Sequence, residues 1–227
     1  MPTRNLSYRE GVVKKPWGHE YLMFDNGLVG VWCLFIKGGE RTSLHCHPRK
    51  KTGLVLLSGQ ASVSFLNDSM PLDPLDKLMI REGLFHSTQA ISPEGISLIE
   101  IETPSDKTNL VRLDDAYGRE GKRYEGAESI EPFTQECLRL SEPNRGQKDV
   151  YAFNDCVLGV EKVHDSSECL DRNPGEVIVV LKGGLFSQGD EPIVSPGDVV
   201  SSEILRRLAQ SFSAPQGATL LTLRRAK

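Results

Sequence analysis

Short apolar runs, broken at a nearly regular interval, dominate this chain. Stretches rich in Val, Ile, Leu and Phe are interrupted by Gly, Pro, Asp and Ser roughly every 8 to 12 residues. Val29 to Ile36, Leu54 to Leu57, Ala61 to Phe65, Leu78 to Arg81 and Ile96 to Glu102 are the clearest examples. Runs this short suit strands better than amphipathic helices, so the pattern predicts an all-β chain of antiparallel sheets closed into a sandwich or barrel, with few short helices. Two segments carry weaker signals. Asn109 to Tyr117 reads as a short helix or turn, and Ile130, Phe133, Cys137 and Leu140 recur at about helical spacing around Pro132.

From about Gly118 to Lys148 the sequence turns polar and charged and reads as a connection. The strand rhythm then resumes in Val150 to Phe153, Cys156 to Val163, Glu176 to Leu181, Pro192 to Val200 and Ala218 to Leu223. A strand, tight glycine turn, strand unit recurs too, LLSGQASVSF at 56 to 65 against VLKGGLFSQ at 180 to 188. At 227 residues the chain holds one large or two small cores, given about 100 to 200 residues per domain. The expectation is therefore two β units in tandem: residues 1–120, a connection at 121–148, and a second unit at 149–227.

Composition narrows the partners. With a formal net charge of −4 and no long run of like charge, nothing points to nucleic acid. The first fifteen residues, MPTRNLSYREGVVKK, contain no apolar core of a signal peptide, and no window approaches the roughly 18 apolar residues of a membrane span. A cytoplasmic protein without membrane or nucleic-acid partners is expected, and a homodimer is one assembly open to it, since an apolar barrel exterior or an exposed sheet edge often leads to dimers. The five cysteines (Cys33, Cys46, Cys137, Cys156 and Cys169) form no C-x-x-C pair, which argues against both a disulfide framework and a structural zinc site.

Three of the five histidines sit at informative positions, His45 and His47 in TSLHCH and His86 in REGLFH. On a strand, residues i and i+2 share a face, so His45 and His47 would project together while Cys46 faces away. A third imidazole from a later strand would complete one face of a coordination sphere and leave open positions for water or substrate. For an isolated H-x-H the plainer alternative is two rings hydrogen-bonded in a barrel wall. Here the surroundings matter. Gly39, His45, His47 and Gly59 fit G-x5-H-x-H-x(3,4)-E-x6-G, and Gly83 and His86 fit G-x5-P-x-G-x2-H-x3-N, so the chain resembles the cupin superfamily in both motifs. That resemblance implies double-stranded β-helix (jelly-roll) barrels, two in tandem, and one divalent metal ion (Zn, Mn, Fe, Ni or Co) on His45, His47 and His86. The chain departs from the pattern where the glutamate falls on Thr52, the second motif's first glycine on Leu75, its proline on Arg81 and its asparagine on Ala90.

Two flanking segments sharpen the likeness. KKPWGHEYL at 14 to 22 and VRLDDAYGR at 111 to 119 resemble the entry and exit of the cupin domain in type II phosphomannose isomerases and their fused mannose-1-phosphate guanylyltransferases. LIEIET takes the place of that family's I-E-V-Q. The resemblance spans roughly residues 14 to 119 and implies a metal-dependent isomerase of a sugar or sugar phosphate, moving a proton between adjacent carbons. Glu100 and Lys51 are then the candidate catalytic residues, with Arg41, Arg81 and Thr52 as substrate contacts. Glu100 and Glu102 share one face of their strand, and the sequence leaves open whether it is the inner one. Two other readings stay open with Thr52 in the glutamate's place, a three-histidine Fe(II) dioxygenase and a non-catalytic, metal-containing sugar-binding module. In the second half the corresponding ligand positions fall on Cys169, Asp171, Glu176 and Leu208, which predicts a degenerate, structural barrel. Trp17 and Trp32 are expected in the core.

Overall fold

The computed structural model describes residues 6–144 and 147–226. Its first half builds eleven strands: β1 (Gly11–Lys15), β2 (Gly18–Asp25), β3 (Gly30–Ile36), β4 (Leu44–Cys46), β5 (Lys51–Ser58), β6 (Ala61–Ser64), β7 (Ser69–Leu72), β8 (Lys77–Ile80), β9 (Ser87–Ala90), β10 (Ile96–Thr103) and β11 (Val111–Asp114). After β12 (Ile130–Pro132) the second half adds β13 (Lys148–Phe153), β14 (Cys156–Val163), β15 (Val177–Gly183), β16 (Leu185–Phe186), β17 (Pro192–Val194), β18 (Val199–Ser201), helix α1 (Ser202–Ala209) and β19 (Ala218–Arg225).

In the first half a seven-stranded antiparallel sheet, ordered β12-β1-β2-β3-β10-β5-β8, faces a smaller wall made of β7-β6-β9 and the β4-β11 pair. The small wall is joined by an antiparallel bridge between His45 and His86. Period-2 alternation sorts the large sheet's side chains into two cores. Trp32, Leu34 and Ile36 of β3, Leu54 and Leu56 of β5, and Ile96 and Leu98 of β10 fill the barrel interior. Their neighbours Val31, Cys33, Val55, Leu57, Ile99 and Ile101 point outward.

That outer face is not solvated. It packs against the second half's five-stranded sheet, ordered β13-β14-β19-β15-β18, through Leu158, Val160, Val177, Val179, Leu221 and Leu223. The opposite face of that sheet, with Ile178, Val180 and Leu220, closes over Leu205 of α1 and Val194 in a third core. Strands buried on both faces explain why VWCLFI and VIVVL read as unbroken apolar runs rather than alternating ones.

Neither of the two weaker segments forms a helix, although the turn expected as one alternative in Asn109 to Tyr117 is present. Asn109 to Tyr117 contributes strand β11 and a turn, because β11 pairs with β4. Ile130 to Leu140 begins as β12, which extends the large sheet by pairing with β1, and continues as irregular chain. The polar connection is therefore partly structural. The single α-helix among the described residues lies instead at Ser202–Ala209, where the Ser201 hydroxyl caps the Ile204 amide.

Candidate metal centre

His45 lies on β4, His47 just beyond its end, and His86 immediately before β9. The His45–His86 bridge, with backbone bonds of 3.0 and 2.8 Å, sets those two rings side by side. Ring centroids are 4.9 Å apart for His45 and His47, 4.5 Å for His45 and His86, and 5.5 Å for His47 and His86. One nitrogen from each ring falls within 4.8 Å of the other two.

Backbone carbonyls fix the tautomers. Nδ1 of His45 lies 2.7 Å from the Ser43 oxygen, Nδ1 of His47 2.8 Å from the Asn109 oxygen, and Nδ1 of His86 3.0 Å from the Leu84 oxygen. A carbonyl only accepts, so each Nδ1 carries the proton and each Nε2 is left with a lone pair. Burial, reinforced for His45 and His47 by neighbouring cationic or imidazole groups, depresses all three below the ordinary imidazole value. Neutral rings with free Nε2 atoms are the form in which histidine binds metal.

The large sheet supplies carboxylates from the other side. Glu100 and Glu102 sit on the inner face of β10, in line with Ile96 and Leu98, which settles the orientation left open by the sequence. Glu102 is fully buried and pairs across the ladder with Thr52 of β5. Lys50 reaches Glu102 at 2.6 Å, and Lys107 reaches Glu100 at 2.5 Å and Glu102 at 3.1 Å while lying 4.5 Å from the Trp32 ring centre. These carboxylates hold the Lys107 ammonium well above the usual lysine range despite its burial.

The residues fit a divalent cation by one independent sign. Among the described residues, His47 Nε2, Thr52 Oγ1 and Glu102 Oε2 are buried polar atoms without a hydrogen-bond partner. Buried polar groups are normally satisfied, so His47 Nε2 beside Glu102, with Thr52 as that glutamate's ladder neighbour, marks a place where a ligand's charge is expected.

The cavity beside the imidazoles measures about 50 Å³. Trp17, Leu54 and Leu98 line it alongside Glu20, Glu100 and Lys107. It is also lined by residues that sequence reasoning did not single out as functional, Lys15, Glu20, Arg112, Arg119 and Tyr124. Lys15 bonds Glu125 and lies 3.3 Å from Glu20, Tyr124 donates to Glu20, and Arg112 and Arg119 reach Glu125 at 3.3 and 2.7 Å. Lys15, Trp17 and Glu20 come from the KKPWGHEYL segment, and Arg112 and Arg119 from VRLDDAYGR, so the two flanking motifs converge on one cavity.

The remaining candidates are placed elsewhere. Lys51 points away from the cavity to Asp198 and Ser195 of the second half, at 2.6 and 3.2 Å. Arg81 is exposed, as is Arg41, whose guanidinium lies 3.8 Å from Asp114. Thr52 faces the interior, fully buried, and does not line the cavity. In the second half Cys169 is buried beside Arg172, Asp171 is exposed and Glu176 is buried, and among the described residues no metal-binding group forms there. All five cysteines are free thiols.

No protein-family model and no curated protein sequence matches the chain. Similar solved structures include KdgF from Halomonas sp., 17% identical with a TM-score of 0.39 over 40% of this chain and 84% of that one. A conserved Klebsiella pneumoniae protein with a double-stranded β-helix domain is 15% identical, with a TM-score of 0.39 over 48% of this chain and 84% of that one. A cupin-like protein from Thermotoga maritima is 17% identical, with a TM-score of 0.42 over 49% of this chain and 90% of that one. The fold class is all-β, antiparallel sheets that face one another across a barrel interior. Among the described residues no helix is long and apolar enough to cross a membrane.

Proposed function

We propose that the first barrel is a metal-dependent isomerase acting on an anionic sugar, a sugar phosphate of the kind handled by type II phosphomannose isomerases. The observation that carries this reading is the convergence of three Nε2 lone pairs, each fixed by a carbonyl on Nδ1, beside buried carboxylates in one cavity. His45, His47 and His86 would hold the ion. When bound, a divalent cation supplies Lewis acidity toward adjacent carbonyl and hydroxyl oxygens.

The charge inventory favours an anion over a neutral sugar. Around the cavity Glu20, Glu100, Glu102, Asp115 and Glu125 oppose Lys15, Lys50, Lys107, Arg112 and Arg119, five against five, and every one of these side chains is at most 12% exposed. The protein's own charges balance, so a divalent cation leaves an excess that an anionic substrate offsets. Lys15, Arg112 and Arg119 share Glu125 and would meet the phosphate group of the substrate. Glu100, in the cavity wall, would move the proton between neighbouring carbons, and Lys107 would hold it in position.

Metal analysis of the purified protein, followed by assay of aldose-ketose exchange on sugar phosphates, tests the reading. Bound metal with exchange, abolished in a His45→Ala, His47→Ala double variant, is the expected result. Bound iron with oxygen consumption and no exchange would overturn it in favour of a dioxygenase. Bound metal with sugar binding and no turnover would overturn it in favour of a binding module.

A further inference from the structure

We infer that Glu102 is the fourth protein ligand of the metal, a role carried across the β5–β10 ladder from the position of Thr52. The inference rests on the reading that the three imidazoles hold a divalent ion. In the first histidine motif the acidic ligand follows the histidines on β5, where this chain has Thr52. Thr52 cannot neutralise a cation, and its buried hydroxyl has no partner. Its cross-strand neighbour in the ladder is Glu102, on the inner face of the next strand.

Two features single out Glu102 over Glu100. Glu102 is fully buried, so its charge must be met inside the barrel. One of its oxygens, Oε1, is gripped by Lys50 and Lys107, while Oε2 is buried and unpartnered. Both glutamates have a ligand oxygen within 4.8 Å of a ring nitrogen of His47, the histidine common to the carboxylate group and the three-imidazole group, and its Nε2 is likewise unpartnered. Glu100 shares that 4.8 Å group, but it lines the open cavity with Oε2 engaged by Lys107 at 2.5 Å. The two lysines on Oε1 fix the orientation of Glu102 and leave the other oxygen to the ion, as outer partners do for metal-bound carboxylates.

Titrating the chelator-stripped full chain with Co2+ alone, by calorimetry and visible absorption, tests the assignment. Glu102→Gln should weaken Co2+ by at least about 10- to 100-fold and alter the spectrum, whereas Glu100→Gln should leave both nearly as in the natural chain. A Thr52→Glu, Glu102→Gln double variant should regain affinity, because the carboxylate returns to the other side of the same ladder. Equal Co2+ affinity in Glu102→Gln, or no recovery in the double variant, overturns the assignment while leaving the three-histidine site intact. A natural chain that binds no Co2+ overturns the metal reading itself. Should Glu102→Gln fail to fold, infrared difference spectra of the Glu100→Gln protein decide: Co2+ should shift a carboxylate band, and an unshifted spectrum overturns the assignment.

Discussion

Leu75 and Gly197 occupy the same turn in the two halves of the molecule. The Leu75 amide donates to the Leu56 carbonyl at 2.7 Å, and the Gly197 amide to the Val180 carbonyl at 2.7 Å. In each turn the next residue is an aspartate whose Oδ2 accepts a backbone amide three residues earlier, Asp76 from Asp73 at 2.9 Å and Asp198 from Ser195 at 2.7 Å. Both residues have positive φ, 73° and 87°. The repeat that the sequence shows faintly in LLSGQ and VLKGG thus extends to P-L-D and P-G-D, with the same backbone bonds. Leucine is tolerated in the first copy because its side chain packs against the core shared by the two halves.

The second copy has no such room. A Cβ on Gly197 would lie 1.9 Å from Thr103 Oγ1 of the first barrel, in a conformation that already disfavours side chains. Gly197→Ala should therefore cost about 2 to 4 kcal/mol, read as a lowered denaturation midpoint. A variant within about 0.5 kcal/mol of the natural chain would show that the two halves do not meet at this turn.

Much of this was legible because it depends on period. Both-face-buried strands announce themselves as apolar runs, and H-x-H at strand spacing places two imidazoles together. The inward orientation of Glu100 and Glu102 was not legible, because it depends on how β10 registers between β3 and β5. The cations Lys107 and Arg119 escaped notice because loops bring them to the site, and Arg112 because the four-residue strand β11 is too short to show a period. One signal was present and unused. Lys51 and Thr52 are adjacent on a strand, so they cannot both face the interior, and a strand that turns Thr52 inward sends Lys51 to the other face. Helix α1 stayed hidden because its eight residues follow directly on β18 and offer only two turns of periodicity.

Lys51 accordingly should matter to the junction between the halves and not to metal binding. Its partners Asp198 and Ser195 are in the second half, and the ion pair is about a quarter exposed, 24% and 28% for the two side chains. Lys51→Met should lower stability by about 1 kcal/mol in chemical denaturation, at the upper end for a partly screened pair, with metal affinity unchanged. A large loss of metal affinity would return Lys51 to the site.

Glu20 gives a pH signature. Although burial alone would raise it, Lys107, Lys15 and the Tyr124 hydroxyl bring its carboxyl down from 4.5 to about 2. Because the folded-state value is depressed, the stabilisation is complete above 4.5 and is lost as pH falls from 4.5 toward 2. Glu20→Gln should be less stable than the natural chain by about 3 kcal/mol at pH 7, and the gap should close across that interval. A gap that stays constant from pH 7 to pH 3 would mean that Glu20 is not held ionised by its lysines.

Removing the metal should loosen the protein without unfolding it. Two cores lie away from the histidines, and the three rings are held neutral by burial, so the empty site carries no mutual imidazolium repulsion. An ion that binds only the folded chain adds stability by mass action, about 2.7 kcal/mol when present at 100 times its dissociation constant. A chelator should therefore lower the denaturation midpoint of the natural chain while its far-ultraviolet spectrum stays that of a β protein. His47→Ala removes a ligand and frees the Asn109 carbonyl that its Nδ1 had satisfied, so this variant should start less stable. Having little metal to lose, it should then be indifferent to chelator. Equal chelator sensitivity in the two proteins would place the stabilising ion somewhere other than these histidines.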